Sequence, residues 1–81
     1  MKAEYKIERL GESVIAKAHR FHKLMQLNAK CWKESKNKTE KNKFEEGVLM
    51  YRARWSVCMD IIEELGIEDK YYDTIDKEEQ I

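Results

Sequence analysis

Two apolar seams in this chain mirror each other about a single point. The first runs through Ile7, Leu10, Val14, Ala18, Phe21, Met25, Asn28 and Trp32, the second through Phe44, Val48, Tyr51, Trp55, Cys58, Ile62 and Leu65. Both advance in steps of three and four, the period of one helix face. Taken in opposite directions, their residue numbers sum to about 76: Trp32 meets Phe44, Met25 meets Tyr51, Phe21 meets Trp55, Ala18 meets Cys58, Val14 meets Ile62, and Leu10 or Gly11 meets Leu65. Antiparallel helices sharing one rise per residue, joined by a short turn near Lys38, produce that arithmetic. The fold class is therefore all-α, an antiparallel hairpin of two long helices.

Local signals set the boundaries. The spacing predicts a first helix over about residues 3–34, a turn over 35–39, a second helix over about 40–65 and a short C-terminal helix over about 69–77. The chain has no proline to break these segments. Gly11 is the weak point of the first helix, a place for a gentle bend. Asn37 stands three residues before Glu40, a loose capping-box spacing, with Thr39 as the other cap candidate. Gly66 followed by Ile67 reads as a left-handed stop signal. Tyr71, Tyr72 and Ile75 are expected to fold back on the open end of the hairpin around Ile7 and Leu10, with Glu78 to Ile81 frayed.

Eighty-one residues make one domain, 1–81. No stretch is apolar enough to span a membrane. The first ten residues carry charges at Lys2, Glu4, Lys6, Glu8 and Arg9 and no apolar stretch of signal-peptide type. Cys31 and Cys58 fall at different levels of the hairpin, roughly 20 Å apart, too far for a disulfide. These features together lead us to expect a cytoplasmic protein with two free thiols.

The second helix is too apolar for a hairpin alone. Twelve of the eighteen residues from Val48 to Leu65 are hydrophobic, and the seam uses six. A second stripe, Met50, Ala53, Val57 and Ile61, has the same spacing and points elsewhere, while Arg52, Ser56, Asp60 and Glu63 form the solvent stripe. The simplest cover is a second copy, giving a homodimer or higher oligomer with four-helix-type bundle architecture. Docking of a different protein on the same stripe is the alternative. Asn28, the polar member of the first seam, is either a tolerated amide or a residue that fixes register. Ala29 falls opposite Gly47, where backbones could approach closely.

Net charge is zero, yet the charges are segregated. Residues 17–43 hold nine basic side chains against two acidic, a surplus of seven positive charges. Residues 44–81 hold four basic against eleven acidic, a surplus of seven negative. The turn carries Lys30, Lys33, Lys36, Lys38, Lys41 and Lys43, a candidate contact for an anionic partner such as nucleic acid. Arginine is missing from that set, which suits solubility better than base readout. The C-terminal segment carries Asp69, Tyr71, Tyr72, Asp73 and Asp76, a candidate contact for a basic partner.

Signals for chemistry are weak. His19 and His22 lie three apart, but the register brings Ser56 and Arg54 opposite them, so no metal site is expected. Glu8 and Glu12 share a level with Asp60, Glu63 and Glu64, and carboxylates so grouped can hold magnesium in all-α nucleotide pyrophosphatases. Arg9 intervenes and Asp60 and Glu63 face solvent, so a nucleotide hydrolase is the remote reading. The three glycines are isolated, so no phosphate loop exists. No catalytic residue or cofactor is expected. In general style, short, charged, helical and without motifs, the chain looks like the small accessory proteins of bacteria and their phages. The sequence points to a non-enzymatic interaction protein, an adaptor, inhibitor or assembly component. A nucleic-acid-associated protein using residues 30–43 is the alternative.

Overall fold

A computed structural model of the protein describes residues 2–79, with side chains described for Lys6 and for residues 8–75. Three helices make up nearly all of it: α1 (Lys2–Glu34), α2 (Lys38–Leu65) and α3 (Glu68–Glu79). α1 and α2 pack antiparallel along their length, and α3 lies against both. α1 runs unbroken through Gly11, which is buried where Ile67, in the link just before α3, packs on it.

The turn is shorter than the spacing predicts, because α2 already begins at Lys38. Asn37 is the cap: its backbone is extended (φ −131°, ψ 160°) and its side-chain oxygen accepts a 2.8 Å hydrogen bond from the Glu40 amide. Thr39 lies inside the helix and caps nothing. On the other side of the turn, Ser35 Oγ donates to the Cys31 carbonyl at 2.6 Å, closing the last turn of α1.

At the far end Gly66 takes the left-handed conformation (φ 67°, ψ 33°). Its amide donates to Glu63 and the Ile67 amide donates to Ile62, which satisfies two otherwise orphaned carbonyls. A side chain at Gly66 would be strained in that conformation. Only Gly66 and Ile67 separate α2 from α3, so the chain doubles back at once and α3 must lie along the hairpin.

The buried core is Val14, Ile15, Ala18, Cys58, Ile62 and Tyr71, flanked by Phe21, Trp55, Met59, Ile61, Ile67 and Ile75. It sits in the half of the hairpin away from the turn. Toward the turn, Met25, Ala29, Phe44 and Val48 are only half-buried. The mirror register holds to within about one helical turn. Phe21 stacks on Tyr51 at 6.2 Å, and Trp55 leans instead toward His22 at 5.8 Å. Both ring contacts stay within one helical turn of the expected pairing.

The expected seat of α3 also differs. Its anchor is not the open end of the hairpin. Tyr71 reaches His19 and Trp55, Leu10 remains 51% exposed, and Tyr72 points outward. The tight Gly66–Ile67 link is the physical reason: α3 starts beside Gly11 and climbs toward the turn. The expected contact with Ile7 falls outside the described side chains; of the residues expected to fray, Glu78 and Glu79 instead continue α3, and residues 80–81 fall outside those described.

Near the turn Asn28 and Gly47 face each other. Asn28 Nδ2 donates to the Leu24 carbonyl at 2.7 Å, which leaves its oxygen side against Gly47. A Cβ at Gly47 would stand 2.9 Å from Asn28 Cγ, inside van der Waals contact. Replacing a helical glycine with alanine ordinarily gains about 1 kcal/mol. We expect Gly47→Ala to forgo that gain because the Asn28 amide must swing away from Leu24. In an Asn28→Ala background the full stabilisation of about 1 kcal/mol should return. A double-mutant cycle of denaturant unfolding that gives no coupling between the two positions would contradict this packing.

Candidate functional site

Tyr71 divides the hairpin into a covered side and an open one. Its ring is 1% exposed, stacked on His19 with centroids 4.6 Å apart and planes 10° apart. Trp55 Nε1 donates to its hydroxyl at 3.0 Å. Thr74, one turn along α3, spends its hydroxyl hydrogen on backbone carbonyls of Lys70 and Tyr71 at 3.1 and 2.8 Å. The same Thr74 hydroxyl lies 2.5 Å from His19 Nε2, a hydrogen bond that joins α3 to α1. His19 is itself buried at 8% exposure. Among the described residues no buried side-chain nitrogen or oxygen lacks a hydrogen-bond partner. This polar cluster locks α3 onto one groove. It also corrects the expected role of Tyr71, which is a core residue and unavailable to a basic partner.

The second stripe of α2 lies on the side α3 does not reach. Each helical residue turns the side-chain direction by about 100°, so Val57 points about 160° away from Trp55, which faces α3. Val57 is 58% exposed, Met50 42%, Ala53 is exposed and Ile61 is half-buried. Along this side the two helices are bridged by Arg54 of α2 lying 5.9 Å from the Phe21 ring of α1. Toward the turn, Met50 borders a shallow depression with Asn28, Phe44, Gly47 and Tyr51. Met50, Ala53 and Val57 thus lie on one uncovered flank, with Ile61 at its inner edge, half-buried and packed against the core.

Sequence reasoning missed a second apolar patch. Trp32, expected to be sheltered against Phe44, is 41% exposed, with the Lys41 ammonium 5.6 Å from its ring centre. Ala29, Val48, Leu49 and Glu45 line the depression beside it. The available signal was its place as the last member of the seam, where no third helix can follow. Leu27 and Leu49 are also exposed, at 56% and 58%.

The charged sets are all in water. Lys30, Lys33, Lys36, Lys38, Lys41 and Lys43 are exposed around the turn. Asp69, Tyr72 and Asp73 are exposed on α3, while the Asp76 side chain falls outside those described. Glu8, Glu12, Asp60, Glu63 and Glu64 are exposed too. Among the described residues, no group of three or more His, Cys, Asp or Glu side chains is placed to hold a metal ion. His22 lies against Trp55, its ring tilted at 5.8 Å. No described helix is long and apolar enough to cross a membrane. No known protein family matches the chain, and neither does any curated protein or solved structure.

Both cysteines are free thiols, and their settings differ. Cys58 is buried in the core, which pushes its thiol above its ordinary value, an effect partly offset by the nearby Lys17 ammonium. Cys31 is half-buried beside the turn. A thiol that holds its proton more tightly when folded stabilises fully below its unfolded value, and that contribution fades as pH rises through the folded one. At mildly alkaline pH, Cys31 should alkylate readily and Cys58 only on unfolding. Peptide mass spectrometry after a short iodoacetamide pulse checks this, and equal labelling of both would contradict the burial of Cys58.

Proposed function

We propose that this protein is a non-enzymatic helical interaction module, an adaptor, inhibitor or assembly component, that works as a homodimeric four-helix-type bundle. The observation that carries this reading is the uncovered flank of Met50, Ala53 and Val57, edged by the half-buried Ile61, opposite α3. Areas support it. A compact monomer of this mass exposes about 5,200 Å², whereas this chain exposes 6737 Å². Its radius of gyration, 15.4 Å, likewise exceeds the roughly 12 Å of a compact chain of this length. The surplus of about 1,500 Å² is ample for one side of a standard interface, about 800 Å² per partner. A second copy offers the same self-complementary patch, the usual basis of a two-fold dimer.

A second reading rests on Trp32. An exposed indole among lysines, one of them over its ring, is a stacking platform next to phosphate-attracting charge. Single-stranded nucleic acid is the ligand such a platform takes.

Light scattering on a sizing column separates the two. The wild-type chain should run at roughly 20 kDa, twice its 9.8 kDa, and Val57→Glu or Met50→Glu should run as the single chain. Burying a carboxylate at each of two related sites should weaken pairing by roughly 100-fold or more. Circular dichroism should remain helical in both variants, because these side chains are exposed within one protomer. A wild-type chain at 9.8 kDa would overturn the dimer. Heparin retention lost on replacing Lys36, Lys38 and Lys41 with Glu would favour the second reading.

A further inference from the structure

We infer that two copies pair tip to tail, with the two-fold axis across the long direction of the hairpin near the level of Ala53 and Val57. This orientation rests on the self-association proposed above. Three observations favour it over the side-by-side alternative in which both turns point the same way.

The first is charge. Residues 17–43 carry a surplus of seven positive charges and residues 44–81 a surplus of seven negative. The hairpin holds the six turn lysines at one end of a 55 Å body and Glu63, Glu64 and Asp69 toward the other. Pairing with both turns together would bring two basic tips within a Debye length of each other. Tip-to-tail pairing brings each basic tip beside an acidic end.

The second is the helix dipole. A helix favours anions at its start and cations at its finish. α2 departs from this at its finish, where Glu63 and Glu64 sit in a last turn with no basic residue, while at its start Glu40 stands among Lys38, Lys41 and Lys43. That arrangement costs α2 something within one chain. Across an antiparallel α2–α2 contact, each end's charge lies near the opposite charge of the second copy.

The third is register. Antiparallel pairing sets Met50 against Ile61 and Ala53 against Val57, large beside large and small beside medium, and leaves none of the four unmatched. Lys38, Lys41 and Lys43 then come beside the second copy's open end, where Glu63 and Glu64 close α2. Like-signed side chains also meet in this register: Glu46 comes level with Glu64 beyond the stripe, and the two copies' Arg54 lie near the axis, where each is held over Phe21 of its own chain.

Spin-label distances test the orientation. A nitroxide on Lys36→Cys in a Cys31→Ser background marks the tip, since Lys36 is exposed and Cys58 is buried. Tip-to-tail pairing predicts a distance of about 50–55 Å between labels, from about eighteen residues of rise on either side of the axis. A distance below about 30 Å would overturn the orientation and leave the dimer standing. Absence of any inter-label distance, in a sample that sediments as a single 9.8 kDa chain, would overturn the pairing itself. As a second readout, raising salt from 50 mM to 500 mM should weaken tip-to-tail association by several-fold, whereas it would strengthen a dimer with its basic tips together.

Discussion

The buried ring of Tyr71 decides how three helices share one supply of apolar surface. It stacks on His19 of α1, accepts from Trp55 of α2 and belongs to α3. One side chain therefore fastens the third helix to both others. A hairpin has two grooves, and a single short helix can fill only one. Once Tyr71 commits α3 to the groove of His19 and Trp55, Val57 and Met50 on the opposite side stay exposed among the described residues.

That division also explains the uneven core. The fully buried residues cluster where three helices meet, between Val14 and Ala18 on α1 and Cys58 and Ile62 on α2. Toward the turn only two helices remain, and two helices cannot enclose a side chain the size of tryptophan. Trp32 is accordingly exposed on one face and shielded by Lys41 on another. Most of the burial that stabilises the protomer is therefore concentrated at one end, a thin margin for a domain of this length.

Much of this was legible in the residues. The mirrored seams and the Gly66–Ile67 stop signal follow from period and capping chemistry, and the two long antiparallel helices bear them out. The turn came out shorter because the Asn37 cap lets Lys38 and Thr39 join the helix; the Asn37–Glu40 spacing carried that signal, with Thr39 competing as the cap. The place of α3 was not legible. Tyr71 and Tyr72 are identical in type and adjacent, yet one is buried and the other 56% exposed. Only the direction in which the chain leaves Gly66 distinguishes them. The polarity of His19 hid its place in the core for a similar reason: its hydrogen-bond partner Thr74 lies fifty-five residues away in sequence. The uncovered flank was visible as a surplus of hydrophobic residues on α2, but which side of the hairpin it occupies required the position of α3.

The account turns on whether the flank opposite α3 is covered by another chain of the same kind. Thermal unfolding followed across about a hundredfold range of protein concentration examines this most directly, because a dimer that melts to single chains gains stability by mass action. The account predicts a midpoint that rises by roughly 5–10 °C over that range. A midpoint independent of concentration would contradict it.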